Sequence, residues 1–165
     1  MKLNTVHRIF AVILLFCLFS ASICYAEDQI ATYRNERFKF KANIPRWLKI
    51  KEPRPANGDG LTFVSDKRKL EVKIYGVNNV LNRTAFQEAS SDADVEEFKV
   101  LYDYPKKAAI NWQQNKKICW KKAVLIQDSP NDMGHFIIVY ATSDVETAFY
   151  NEETVTNILK SLAPI

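Results

Sequence analysis

Two side chains of this sequence, Cys119 and His135, have the types needed for nucleophilic catalysis. A thiol becomes a nucleophile when an imidazole base within reach removes its proton, and such a pair can hydrolyse acyl bonds. Both residues lie in stretches predicted as strands, where a cysteine usually acts as a small buried apolar residue. A non-enzymatic protein is therefore the leading interpretation, and a thiol-dependent hydrolase using Cys119 and His135 is the alternative.

The sequence predicts neither a metal site nor a cofactor. Zinc sites use three or four clustered nitrogen or sulfur ligands, whereas Cys119 and His135 are the only cysteine and histidine after residue 26. The chain also lacks a glycine-rich run followed by Lys-Ser or Lys-Thr, the motif that cradles nucleotide phosphates. We therefore assign no catalytic, metal or cofactor residues beyond that one alternative pair.

The candidate ligand-binding residues lie in two loop segments. Trp47 follows Pro45 and has the type of an aromatic anchor for a partner. The second segment consists of Asn57, Gly58, Asp59 and Gly60. Its oxygens suit calcium and its glycine-flanked N–H groups suit anions, but the same residues also suit a tight turn. A binding role and a structural role both stay open for this segment.

The first 26 residues have the organisation of a secretory leader. Two basic residues precede an uncharged apolar run over residues 9–19, and a small-residue stretch ends at Ala26. The run is short for a membrane span, so a retained anchor and lipid attachment at Cys24 are the weaker alternatives. We expect residues 1–26 to be a signal peptide. Residues 27–165 should then form a single periplasmic or secreted domain without a transmembrane helix.

The charge composition bears on the partners. The 23 basic residues exceed the 19 acidic ones only slightly, and export argues against a nucleic-acid partner. Basic pairs recur at residues 67–68, 106–107, 116–117 and 121–122, and we expect these side chains to be solvated, mostly at turns. The expected partner is an unknown protein, or a small apolar or anionic ligand, in the cell envelope.

Alternating apolar residues predict most of the strands. Residues 37–44 place Phe38, Phe40, Ala42 and Ile44 on one side, the pattern of a strand with one buried face. Further strands are predicted over residues 61–65, 70–75, 98–104, 108–113, 118–127 and 135–142. Both faces of the last strand are apolar, which indicates that something covers the sheet on both sides.

Two helices complete the predicted set. Thr84 and Gln87 have the spacing of a capping box, so we expect a helix from about Thr84 to Val95. A C-terminal helix is predicted with Asn151 as its N-cap and with a buried stripe. That stripe consists of Val155, Ile158, Leu159 and Leu162. The order predicts an α+β fold, an antiparallel sheet of six or seven strands covered by helices on both faces.

Several segments together resemble the PsbP-like superfamily, whose αβα sandwich also occurs in the Ran-binding Mog family. The segments are residues 33–45, 57–63, 73–79, 118–123, 136–140 and 158–162. They cover most of the chain after residue 26 and are similar to small bacterial periplasmic proteins. One departure is residues 114–117, Gln-Asn-Lys-Lys, where such sequences often have a glycine-rich turn.

The resemblance implies more about fold than about function. The superfamily has no shared catalytic motif, and its members include extrinsic subunits of photosystem II, so fold analogy alone assigns no ligand. It implies an exported accessory or binding module. We expect this module to bind through a loop face that contains Trp47 and residues 57–60.

Overall fold

The computed structural model describes residues 29–93, 97–129 and 131–165. The predicted signal peptide, and residue 95, where the first predicted helix would end, lie outside these ranges. The strands are β1 (Ile30–Asn35), β2 (Phe40–Pro45), β3 (Lys49–Ile50), β4 (Gly60–Ser65), β5 (Leu70–Asn78), β6 (Lys99–Tyr104), β7 (Lys107–Gln114), β8 (Lys117–Ile126), β9 (His135–Asp144) and β10 (Ala163–Pro164). The helices are α1 (Ala85–Ser90) and α2 (Val145–Ser161).

The strands form two antiparallel sheets. A main sheet of seven strands has the order β3-β4-β5-β9-β8-β7-β6, and a small sheet has the order β1-β2-β10. The predicted α+β class and the antiparallel sheet are therefore confirmed. Short turns allow this pairing: the β7–β8 turn places Asn115 at φ 49° and Lys116 at φ 61°. Two successive left-handed residues make a hairpin turn that matches the strand twist, and they stand in place of the expected glycines.

Both faces of the main sheet are buried at β9. Ile137, Val139 and Ala141 pack against α2 and the small sheet, while Phe136 and Ile138 pack against α1 on the other face. The apolar residues at both alternating sets of positions in β9 therefore correspond to a strand that is buried on both faces. Complete helical cover of both faces is not confirmed, because α1 is only six residues long and leaves part of its face to solvent.

Helix α1 begins with the predicted capping box. The Gln87 backbone N–H donates to Thr84 Oγ1 at 3.2 Å, and the Thr84 backbone N–H donates to Gln87 Oε1 at 2.9 Å. These bonds satisfy N–H groups that have no partner within the first helical turn. The helix ends at Ser90, earlier than expected.

Helix α2 begins at Val145, so the prediction of Asn151 as its N-cap is wrong. Asn151 lies inside the helix and is fully buried; its Nδ2 donates to the Arg68 carbonyl oxygen and to Ser143 Oγ, each at 2.8 Å. The exposed aromatic residues Phe149 and Tyr150 interrupt the amphipathic period, so the sequence pattern does not indicate the first two turns of α2. The predicted stripe from Val155 onward is buried. No helix in the described ranges combines the length and apolarity that crossing a bilayer requires.

Lys121 and Lys122 of β8 are both buried, against the expectation of solvated basic pairs. Neighbouring strand residues point to opposite faces. On the α1 face, Lys121 Nζ lies 2.9 Å from Asp92 Oδ2 and 3.4 Å from Glu88 Oε1. On the other face, Lys122 Nζ donates to the Leu159 carbonyl oxygen at 2.5 Å, near the C-terminal end of α2.

Candidate functional site

A groove lies between α2 and the small sheet, with a volume of about 470 Å³. Its lining residues are Ile30, Asn43, Pro45, Trp47, Arg68, Tyr150, Glu153, Thr154, Asn157, Ile158 and Ser161. We call this cavity the α2 groove. Its volume lies in the range of small-molecule sites, and it contains Trp47, one of the predicted binding residues.

Trp47 is held in the groove by contacts from a distant hairpin. The residue follows β2, and the Arg68 guanidinium lies over its ring at 4.2 Å from the centroid. Arg68 belongs to the β4–β5 turn, and its carbonyl oxygen accepts from Asn151 Nδ2. The buried Asn151 side chain therefore holds the β4–β5 turn in place, and this turn places the Arg68 guanidinium on the Trp47 ring. The cation–π contact favours a defined position of the ring.

The helical wall of the groove comes from one side of α2. Tyr150, Glu153, Thr154 and Asn157 follow each other at helical spacing and therefore share a face. Tyr150 is 74% exposed, an unusual state for an aromatic side chain that lines a cavity. At the end of the groove, Ser161 Oγ accepts from the Asn43 backbone N–H at 2.9 Å, which joins helix and small sheet.

The predicted loop of residues 57–60 lines a different cavity, of about 370 Å³, together with Lys73 and Tyr75. We call it the loop cavity. The structure therefore divides the predicted binding face, which included both Trp47 and this loop, between two cavities.

Contacts from three neighbouring segments hold the loop of residues 57–60. Asn35 Nδ2 donates to the Gly58 and Asp59 carbonyl oxygens at 3.0 and 3.1 Å, and the Gly76 N–H donates to the latter at 2.9 Å. Arg37 Nη1 lies 2.8 Å from Asp59 Oδ1. These oxygens already have partners within the protein, which favours the structural role that the sequence left open.

The structure does not bring Cys119 and His135 together. Cys119 pairs with Thr142 across β8 and β9, so along β9 it lies seven residues from His135. Seven residues correspond to about 23 Å of strand and to opposite faces of the sheet. His135 Nε2 lies 3.3 Å from the Phe38 carbonyl oxygen instead.

The Cys119 environment also opposes thiolate formation. Burial raises the pKa of the thiol; a hydrogen bond from Tyr140, at 3.7 Å from oxygen to sulfur, and the nearby Lys117 offset this only in part. A neutral buried thiol is a poor nucleophile. Within the described residues, no three His, Cys, Asp or Glu side chains gather as metal ligands would.

Sequence reasoning missed Tyr150, Asn157 and Arg68 as site residues. Tyr150 precedes the predicted start of α2, so the sequence does not assign it to a helical face. Arg68 belongs to a basic pair that is predicted to be solvated. The available signal in the sequence is the helical spacing of Tyr150, Glu153, Thr154 and Asn157, which places an aromatic residue and polar residues on one face.

Comparisons with known proteins identify the fold. No protein-family model and no curated relative matches the sequence. Cyanobacterial PsbP (CyanoP) from Synechocystis sp. PCC 6803 superposes with a TM-score of 0.55 at 8% identity, over 85% of this chain and 94% of that chain. The Ran-binding protein Mog1p of Saccharomyces cerevisiae superposes with a TM-score of 0.51 at 6% identity, over 83% and 96%. The fold is therefore PsbP-like, of the Mog type, and identities this low concern the fold alone.

Proposed function

We propose that this protein is a non-enzymatic accessory module of the bacterial cell envelope that binds its partner through the α2 groove. The predicted signal peptide supports export to the periplasm or the medium. The fold supports an accessory role, since one similar structure carries the name of a Ran-binding protein. The separation of Cys119 from His135 supports a binding role over hydrolysis.

The observation that carries this proposal is the aromatic lining of the α2 groove. Trp47 lines one wall and Tyr150, 74% exposed, lines the other. Binding sites concentrate their energy in a few aromatic anchors with a pocket around them. The loop cavity has Tyr75 but no tryptophan among its lining residues, so the α2 groove is the stronger of the two candidates.

The test is affinity capture from the native envelope, followed by mass spectrometry of the eluted molecules. Tyr150→Ala should reduce capture of the partner by about tenfold or more, since loss of a central anchor has that cost. Glu152→Ala is the matched control, because Glu152 is exposed on the same helix but is not a lining residue of the groove.

Two outcomes would contradict the placement. If Tyr150→Ala and Glu152→Ala captured the same amounts as the unmodified protein, the α2 groove would not be the site. If Lys73→Ala, in the loop cavity, were the variant that lost capture, the binding site would be the loop of residues 57–60 and its neighbours.

A further inference from the structure

The chemistry of the groove lining also indicates a ligand class, in a step that rests on the proposed function. We infer that the α2 groove binds a short neutral oligosaccharide. A sugar ring has an apolar C–H face and a rim of hydroxyl groups, so its site needs aromatic faces and polar side chains together. The groove provides both.

The aromatic part of the groove comes from two separate elements. Trp47 lies in the β2–β3 connection, half-buried and with the Arg68 guanidinium over one face of its ring. Tyr150 lies on α2 and is the more exposed of the two rings. Pro45 and the exposed Ile30 extend this apolar surface. Flat aromatic rings bury area at low entropic cost, and their polar ends stay available to a ligand.

The polar part of the groove runs along α2. Glu153 and Asn157 are exposed, and Thr154 is half-buried between them. A carboxylate accepts two hydrogen bonds in one plane, and an amide both donates and accepts. These groups match the neighbouring hydroxyls of a sugar, each of which donates one hydrogen bond and accepts others.

The charges of the lining favour a neutral ligand. Among the described lining residues, the charged side chains are Arg68 and Glu153, one of each sign. A site for a phosphorylated or polycationic ligand would collect charges of a single sign to complement it.

The backbone of the groove walls does not suit an extended peptide. The free edge of the small sheet is β1, which contributes only Ile30, its first residue, to the described lining. β2, which contributes Asn43 and Pro45, pairs with β1 along one edge. Along the other edge it pairs with β10 and donates from the Asn43 N–H to Ser161 Oγ. A peptide that binds by strand addition needs a free strand edge. The helical wall has its N–H and carbonyl groups bonded within the helix, so recognition here depends on side chains.

The experiment is isothermal titration of the purified protein with chitotriose and cellotriose, with tri-alanine as the peptide comparison. We expect saturable binding of at least one trisaccharide and a quench or shift of tryptophan fluorescence. Tyr150→Ala and Trp47→Ala should each weaken binding by about tenfold or more. Glu152→Ala, outside the groove lining, should bind as the unmodified protein does.

Each other result overturns the inference in a distinguishable way. If neither trisaccharide binds while Tyr150→Ala still loses envelope capture, the ligand class is wrong and the proposed function stands. If a trisaccharide binds Tyr150→Ala unchanged, the sugar site lies elsewhere. If tri-alanine binds with the same dependence on Tyr150 and the sugars do not, the groove is a peptide site.

Discussion

Each face of the main sheet buries one lysine, and the two lysines have different partners. On the α1 face, Lys121 is compensated by Glu88 and Asp92, which lie on and just after the short helix. On the α2 face, Lys122 has a carbonyl partner from α2, and burial, with a contribution from Lys107, lowers its pKa to about 8. The α1 face therefore adds ion pairs to the apolar packing of its helix, whereas the buried lysine of the α2 face contacts a backbone carbonyl.

This difference explains where the candidate site lies. The α2 face holds the largest apolar cluster, formed by β2, β4, β5, β9 and α2. The small sheet and α2 each cover part of that face, and the α2 groove is the seam between them. The α1 face has smaller clusters and depends more on individual polar contacts.

The largest effect should follow removal of the ion-paired lysine. Lys121→Ala should lower the free energy of unfolding by about 3 kcal/mol, because it removes a fully buried side chain and a buried cation that pairs with Glu88, which is only 14% exposed and keeps the more exposed Arg83 as a partner. Urea denaturation measures this. The matched control is Lys117→Ala on the same strand, which is exposed and should change stability by less than about 0.5 kcal/mol. Equal small effects would show that the α1 face does not depend on this network.

On the α2 face, added side-chain volume should destabilise the protein more than removal of a charge does. A Cβ at Gly76 would lie 2.0 Å from Phe38 Cγ, so Gly76→Ala should cost about 2 kcal/mol through overpacking. Thermal or urea unfolding measures the loss. Combining it with Phe38→Leu, which frees space at that contact, should recover part of the loss. A fully tolerated Gly76→Ala would contradict the close packing of β5 against residue 38.

Lys122→Met should change stability at pH 7 by only about 1 kcal/mol or less, because an apolar side chain avoids the burial cost of the ammonium. The pH dependence sharpens the comparison. The pKa of Lys122 is about 8 in the folded chain against 10.5 ordinarily, so between these values the unfolded chain binds more protons. Stability contributed by this group therefore rises with pH over that window.

The difference in unfolding free energy between the original protein and Lys122→Met isolates this group from other titrations. It should increase in favour of the original protein from pH 8 to 10.5. A difference that stays flat over that range would contradict the lowered pKa.

The smallest effect on stability is expected at the groove. Tyr150→Ala should change the free energy of unfolding by less than about 0.5 kcal/mol, because the side chain is mostly exposed. The binding loss predicted for this variant would then reflect the groove and not the fold. A stability loss above about 1 kcal/mol, measured by urea denaturation, would mean that the binding loss reflects a destabilised fold and not the groove.

Local pattern predicted the fold well, and long-range contacts explain what it missed. Period-two alternation located β2, β5 and β9, and Thr84 with Gln87 located the start of α1. The burial of Lys121 depends on Glu88, 33 residues away, which no local pattern reports. The groove likewise joins β2 to α2 through Asn43 and Ser161, 118 residues apart. Trp47 could therefore be predicted as a binding residue from its residue type, whereas the residues opposite it in the groove could not be predicted from the sequence.

The central claim is that the partner occupies the α2 groove, and site-specific photo-crosslinking in living cells tests it most directly. A photoreactive residue would replace Asn157, which lines the groove, or Glu152, which is exposed on the same helix but is not a lining residue. We predict a specific adduct from position 157 that position 152 does not give. Adducts of equal yield from both positions, or from position 152 alone, would contradict the account.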